Sequence, residues 1–447
     1  MTAFVDDLAA LVEQEVAAGA TPALSVAFSD GGTPEAGAWG DAAPGRPVTT
    51  ETMFQAASIS KPVTAFAALR LAAAGTLDLD CDINEMLVTW KLPPVRGWAP
   101  RVTVRHLLSH SAGLTVHGFP GYRRGEPTPT VVQILDGVAP ANTGPVRVEA
   151  IPGLHAKYSG GGYTVLGQLL ADVTGKPLPD LLEELVLEPL GMVGARFEGA
   201  LPAELANRVA HGREAGEAIP GGWHDYPELG AAGLWCTPAD LVRFASGVQR
   251  AAAGALPALL PEDMARDMLT EQVPGWGLGV VLDGEGAARR FSHSGRNAGF
   301  LSLLVASCEP GPAVAVMANA DSASPVMRSV AARVAAHLAW DSFERPEGPD
   351  LLAIAKRLAG AYVTDAGERF ELVLGTDSFA LVAPGQPGLP LAPIEPTVWI
   401  SSAVSAELRV ELGESAEGDV LVLHQMGRAF RASREAPTEA GSSPSGT

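Results

Sequence analysis

The order of strand-like and helix-like runs constrains this fold most. Four strand-like runs follow one another late in the first 340 residues: "WGLGVVLD" (276–283), "RRFSHSG" (289–295), "FLSLLVASCE" (300–309) and "PAVAVMANA" (312–320). Turn residues separate them, so they are predicted to pair as adjacent antiparallel strands. A matching strand, "ALSVAF" (23–28), lies some 250 residues earlier and is followed by the turn "SDGGTPEAG" and a second strand. Between the two sets, residues 76–270 read as helices and long Gly/Pro-rich loops such as "PGYRRGEPTPT" and "EAIPGGWHDYPELG". Residues 3–19 carry helical spacing (Phe4, Leu8, Leu11, Val12, Val16), and 322–342 read as another helix. The expectation is an α+β fold. Its antiparallel sheet is assembled from both ends of the segment, with helices packed around it and a helical insertion between its halves.

A polar, Pro-rich break, "SFERPEGPD" (342–350), closes this first domain at about residue 343. Beyond it, "FELVLG", "SFALVAPG", "LRVELG" and "DVLVLHQ" alternate with turns and predict a small all-β domain or barrel over 351–433. The end of the chain, 434–447, is expected to be a disordered tail, because "APTEAGSSPSGT" is low in complexity.

Composition narrows the function classes. The chain has 447 residues, 47% of them hydrophobic, 18% charged, and a formal net charge of −20. An acidic chain without a basic stripe is unsuited to nucleic acid or anionic membrane surfaces. No apolar run is long enough to cross a bilayer. The first twenty residues carry Asp6, Asp7, Glu13 and Glu15, unlike the basic start of a secretory signal. Cys81, Cys236 and Cys308 are odd in number, widely spaced and outside any CxxC, which predicts reduced thiols and a cytoplasmic protein. No HExxH or comparable ligand set occurs, so neither a metal nor a cofactor is expected.

Lysine is scarce: only Lys61, Lys91, Lys157, Lys176 and Lys356 occur. One of them stands in "FQAASISKPVTAFAALRLAAAG" (54–75), where Ser58 and Lys61 are three residues apart. On a helix they share one face, about 5–6 Å apart at Cβ. A serine hydroxyl becomes a nucleophile when a neutral amine takes its proton, and burial makes a lysine neutral. The same residues equally describe an ordinary helix start, with a capping serine and a surface lysine. Ser60 points elsewhere and is set aside. Two further clusters offer chemistry. In "HAKYSGGGYTVLGQLLADVTGKPL", Tyr158 precedes three glycines that would let the backbone approach a cleft, where a tyrosine of lowered pKa acts as acid or base. It could equally be a core tyrosine. In "FSHSGRNAGF", His293 and Ser294 sit at a strand end whose N–H groups would suit an oxyanion. There the plain alternative for His293 is a solvent-facing strand residue.

Taken in order, these clusters resemble the serine β-lactamase and penicillin-binding-protein superfamily. The resemblance is strongest to its class C branch of esterases, D-aminopeptidases and acyltransferases. It covers roughly residues 5–340 and includes "VRHLLSHSAGL", "LEPLGM", "GLWCTPADLVRFA" and "WGLGV". It implies that Ser58 forms an acyl-enzyme, that Lys61 is its base, and that Tyr158 carries a proton to the leaving group. It also implies an oxyanion hole from the backbone N–H groups of Ser58 and Arg296. The segment 351–433 resembles the lipocalin-like domain often attached to such enzymes.

Two departures stand out. His293 takes the place of the lysine that lactamases use, so a permanent charge becomes a group partly neutral at pH 7. Gly160 stands where the family usually has an asparagine that binds the acyl-side carbonyl. Both disfavour β-lactams and carboxylate-ended peptides. Substrate contacts are expected from Ser294, Gly295, Asn297 and Gly160. Trp223 and Tyr226, in a long loop, read either as packing residues or as an acyl pocket. His106, His110, His211 and His224 read as structural, and Met86, Met192 and Met317 as core. The function expected is hydrolysis of a small ester through Ser58. The alternatives are acyl transfer or peptide cyclisation, D-amino-acid amide or peptide cleavage, and a non-catalytic binding homologue. The expected partner is a small-molecule or short-peptide ester or amide.

Overall fold

The computed structural model describes residues 3–17, 23–340, 343, 351–365, 367–375, 379–386, 388–395, 398–401, 406–411, 419–425 and 428–435. The chain divides into two compact units, Met1–Phe343 and Glu344–Thr447. In the first, α1 (Ala3–Ala17) leads into β1 (Ala23–Asp30), β2 (Glu35–Ala43) and the short β3 (Arg46–Pro47). The late strands are β4 (Val281–Asp283), β5 (Arg290–Asn297), β6 (Phe300–Ser307) and β7 (Pro312–Ala318), followed by α6 (Ser324–His337). They form one seven-stranded sheet in the order β4-β5-β6-β7-β1-β2-β3. β1 pairs antiparallel with β7 from Leu24↔Ala318 to Asp30↔Pro312, which joins the two ends of the segment as expected. The run "WGLGVVLD" is strand only from Val281, because Gly279 turns the chain at φ +89.

Period-two alternation sorts the β7 side chains onto two faces. Val314, Val316 and Ala318 join Leu24, Val26 and Phe28 of β1 under α1 and α6. Ala313, Ala315 and Met317 face the other way, onto the larger core. There the sheet meets α2 (Ser60–Ala73) and α5 (Pro238–Ala252). The small alanines of β7 let α5 lie close to the sheet, and Phe66 of α2 meets Phe244 of α5 edge-on at 5.9 Å. α2 is buried along nearly its whole length, so it runs through the core and not over the surface. Two further elements of the insertion bear on the site: α3 (Gly160–Thr174) and the one-turn α4 (Leu229–Ala232). Met192 and Met317 are buried and Met86 is half-buried against the same core.

In the second unit, eight antiparallel strands, from Gly360–Thr364 to Arg428–Arg434, close into an up-and-down barrel. Closure pairs the first strand with the last, Tyr362 opposite Arg434, and leaves no free edge. The expectation of an all-β segment from 351 misses a helix. α7 (Leu351–Leu358) is amphipathic, and its buried Ile354, Ala355 and Leu358 join the Tyr362–Phe370–Trp399 core. The expected tail also begins too early. Arg434 belongs to the last strand, and the Glu435 N–H donates to the Ala361 carbonyl at 2.9 Å. Residues 436–447 lie outside the described residues. Among the described residues no helix is long and apolar enough to cross a membrane.

Because Phe66 is fully buried between α2 and α5, Phe66→Ala is expected to destabilise the first unit by about 3–5 kcal/mol. Denaturant unfolding followed by tryptophan fluorescence measures this. A change below about 1 kcal/mol would contradict the packing described.

Candidate active site

α2 is entered through a tight turn. Ala57–Ile59 form a 3-10 turn, and Ala57 has φ +50. A non-glycine residue held in the left-handed region costs about 1–2 kcal/mol, so the surroundings must enforce it. They do so through Ala56. Its N–H donates to the Leu234 carbonyl at 2.8 Å, and its carbonyl accepts from Ile59 N–H at 3.1 Å and from Ser302 Oγ at 2.7 Å. Between Thr52 and Leu69 every residue is buried except Ser58, which the turn lifts to partial exposure.

The two serines of "SISK" differ in what their hydroxyls do. Ser60 Oγ donates to the Ala57 carbonyl at 2.6 Å and accepts from Leu234 N–H at 3.0 Å, so it is a buried tie between α2 and the strand at Leu234–Cys236. Ser58 Oγ instead lies 2.9 Å from Lys61 Nζ. Lys61 is 2% exposed, and its ammonium also donates to the Ala231 carbonyl of α4 at 2.9 Å. Burial disfavours the charged form and brings its pKa down to about 7. The α4 turn is fixed in turn by Thr64 Oγ1, which donates to the Gly230 carbonyl at 3.0 Å.

Aromatic rings and imidazoles surround this pair. Lys61 Nζ sits 5.0 Å from the centre of the Tyr158 ring. His110, His117, Trp276 and His293 stand 4.3, 4.8, 5.8 and 6.3 Å from that ring, centre to centre. Burial raises the Tyr158 pKa, and a hydrogen bond with Ser58 opposes it only partly. The condition of a lowered pKa is therefore not met, and Tyr158 keeps its proton. His293 also differs from the expectation. It is 4% exposed and not solvent-facing, and burial with the nearby Lys61 charge pushes its pKa down to about 3. It is therefore neutral at pH 7, not partly charged. Its Nδ1 lies 2.7 Å from the Ser294 carbonyl, which puts the ring proton on Nδ1 and leaves Nε2 as an acceptor.

β4 pairs with β5 only at Arg290, Phe291 and Ser292, so on that side no strand covers His293–Asn297. Gly295 packs against the Ala57–Ile59 turn so closely that a Cβ would lie 2.1 Å from the Ala56 carbonyl oxygen and 2.3 Å from Ser302 Oγ. Only glycine allows this approach. It sets the backbone of Gly295–Arg296 beside the turn that carries Ser58. The Arg296 side chain is exposed.

Most of the expected substrate contacts are differently employed. Ser294 alternates with His293 and Gly295, so its side chain is exposed on the other face of β5. Asn297 is buried, its amide donating to Gln55 Oε1 at 2.8 Å. Tyr226 is 2% exposed, its hydroxyl accepting from Ala298 N–H at 2.8 Å. Trp223 is 1% exposed, packed between His211 and Trp235, with the Arg124 guanidinium 4.2 Å above its ring. Neither ring lines an open pocket. Gly160 starts α3 with its N–H on the His117 carbonyl at 3.0 Å, and a Cβ there would meet the Phe119 ring at 2.8 Å. The loop at 117–119 thus fills the space that an asparagine would need. The Ala231 carbonyl and His117 escaped the sequence reading, and Trp276, which opens "WGLGV", reads there as a packing residue. A backbone carbonyl leaves no composition signal, and His117 stands outside the recognised clusters. His106 is structural, closing a capping box with Thr103.

A family model described as Beta-lactamase matches residues 8–339, about three quarters of the chain. The chain belongs to the beta-lactamase family. Among curated relatives, esterase EstB of Burkholderia gladioli is 32% identical over 294 residues, covering 56% of this chain and 72% of the relative. Penicillin-binding protein 4 of Amycolatopsis lactamdurans is 29% identical over 343 residues, covering 72% and 87%. Among solved structures, the D-amino acid amidase of Ochrobactrum anthropi is similar at a TM-score of 0.59 and 25% identity, over 74% of this chain and 97% of that one. This beta-lactamase-family chain is an enzyme of the serine-hydrolase type.

In this hydrolase Gly295→Ala would force β5 away from Ala56. Turnover of an activated ester is expected to fall by about 100-fold or more, since a displacement near 1 Å costs that much at a reacting centre. Steady-state kinetics, with circular dichroism as a folding control, provide the measurement. Unchanged turnover would mean the close approach does not matter.

Proposed function

We propose that this enzyme hydrolyses small esters through an acyl-enzyme on Ser58, with Lys61 as base. The observation that carries this reading is the buried Lys61 amine, of pKa about 7, hydrogen-bonded to a partly exposed serine at 2.9 Å. In its neutral form the amine donates one N–H to the Ala231 carbonyl, which aims its lone pair at Ser58. Ser58 Oγ attacks the ester carbonyl while its proton passes to Lys61 Nζ. The backbone N–H groups of Ser58 and Arg296 hold the oxyanion, a contribution of about 3–4 kcal/mol per donor in comparable sites. As the C–O bond to the alcohol breaks, the Tyr158 hydroxyl gives its proton to the leaving oxygen and is refilled from the Lys61 ammonium. Water attacks the acyl-enzyme by the reverse proton path, and Ser58 regains its proton. The high pKa of Tyr158 suits a carrier that is never a free phenolate between steps.

Two features favour esters over β-lactams or carboxylate-ended peptides. A neutral His293 offers no fixed cation to a carboxylate. The packed Gly160 offers no amide to an acyl-side carbonyl. The similarity to esterase EstB supports the same choice. The similarity to a D-amino acid amidase supports a second reading, cleavage of D-amino-acid amides by the same acyl-enzyme route. We place the activity in the cytoplasm, where the free thiols of Cys81, Cys236 and Cys308 stay reduced.

Intact-mass measurement with p-nitrophenyl esters and D-amino-acid amides tests both readings. The parent enzyme is expected to gain one acyl mass from the ester, and Ser58→Ala none. Persisting acylation of Ser58→Ala would sink the assignment. Faster turnover of the amides than of the esters would favour the second reading. The Lys61 pKa adds a pH prediction. Below about pH 7 the amine is protonated and cannot take the serine proton, so the acylation rate is expected to rise from pH 6 to 8 with a midpoint near 7. Stopped-flow bursts read this directly, and a flat profile would contradict a lysine base.

A further inference from the structure

"VRHLLSHSAGL" reads as structural in sequence, yet the fold gives His110 a specific relation to Tyr158. His110 follows the short helix Val104–Leu108 and has φ +54. In that left-handed conformation its carbonyl and its ring reach the same segment. The Lys157 N–H donates to the His110 carbonyl at 2.7 Å, and the Ser159 N–H donates to His110 Nδ1 at 3.2 Å. These are the N–H groups of the two residues that flank Tyr158. The imidazole itself lies against the Tyr158 ring at 4.3 Å, with Trp276 at 4.6 Å and Tyr163 at 5.1 Å on its other sides. Accepting at Nδ1 requires a neutral ring with its proton on Nε2. Burial and the neighbouring Lys61, His293 and His117 hold the pKa well below that of a free imidazole, which keeps the acceptor available.

We propose that His110 is a positioning residue that fixes the Tyr158 hydroxyl beside Ser58 and Lys61 by gripping the N–H groups of the residues before and after it. This rests on the reading of Tyr158 as the proton carrier. Left-handed backbone favours His, Asn and Gly over most residues, so the turn and the grip make compatible demands on position 110. A structural histidine that merely filled space would not need an acceptor directed at Ser159.

The test compares His110→Asn, His110→Gly, Tyr158→Phe and the double variant His110→Gly with Tyr158→Phe, using p-nitrophenyl acetate. Asparagine keeps an acceptor near the Nδ1 position and tolerates the left-handed turn. Glycine keeps the turn and the carbonyl but removes the acceptor. Tyr158→Phe is expected to lose about 100-fold or more in kcat. His110→Gly is expected to lose about 10- to 100-fold in kcat, with KM within about twofold, and His110→Asn to return within about fivefold of the parent. In the double variant kcat is expected to match Tyr158→Phe within about twofold, because a misplaced tyrosine matters only while its hydroxyl is present.

The outcomes separate the two ideas. Full activity of Tyr158→Phe overturns the carrier reading, and the His110 proposal falls with it. A large loss in Tyr158→Phe beside full activity of His110→Gly overturns the His110 proposal alone. Equal losses in His110→Asn and His110→Gly, or multiplied losses in the double variant, also overturn it. If His110→Gly is not recovered folded, His110→Gln, whose amide reaches the Nε2 position instead, replaces it with the same expectations.

Discussion

The hydrolase unit depends on one carbonyl oxygen. The Ala56 carbonyl takes hydrogen bonds from Ile59 N–H and Ser302 Oγ, and it occupies the place where a side chain on Gly295 would begin. Through it the first turn of a core helix is fastened to the sheet. Residue 56 and residues 295–302 belong to opposite ends of the segment, so the contact ties together parts of the chain far apart in sequence. It explains why Ala57 stays in a left-handed turn and why Ser58 alone rises out of a buried stretch.

Burial does the electrostatic work around that serine. A lysine in water is an ammonium and no base, whereas Lys61, desolvated and bonded to Ala231, is poised near neutrality. The same desolvation keeps His293 uncharged and Tyr158 protonated. In their neutral states Lys61 and Tyr158 both hydrogen-bond Ser58, and His293 bonds the Ser294 carbonyl, so the cluster carries no fixed charge. Such a site suits a substrate that brings no carboxylate of its own. The ring of His110, His117, Trp276 and His293 around Tyr158 supplies the low-dielectric wall that makes these shifts possible.

The residues that sequence patterns brought forward separate into two groups when placed in space. Ser58, Lys61, Tyr158 and His293 converge. Trp223, Tyr226 and Asn297 do not line the site. Tyr226 and Asn297 brace the end of β5 from within the core, and Trp223 packs between His211 and Trp235. Both groups consist of polar or aromatic residues in loops and strand ends, and composition cannot tell a buried brace from a pocket wall. Gly160 shows the same limit. Its lack of an asparagine side chain was visible, but the Phe119 ring and His117 carbonyl that forbid one belong to a loop forty residues away.

Local pattern alone determined a great deal here. Alternation and turn residues set the late strands, helical spacing set α1 and α6, and the serine–lysine spacing picked out one turn of one helix. These are short-range signals, because side-chain periodicity and turn chemistry act within a few residues. Only the tertiary structure decided which serine is accessible, which way each pKa moves and which histidine grips Tyr158. Exposure, desolvation and hydrogen-bond partners come from atoms distant in the chain, such as Leu234, Ala231 and Ser302. No local pattern can place those atoms, since they meet α2 only when distant parts of the chain pack onto it.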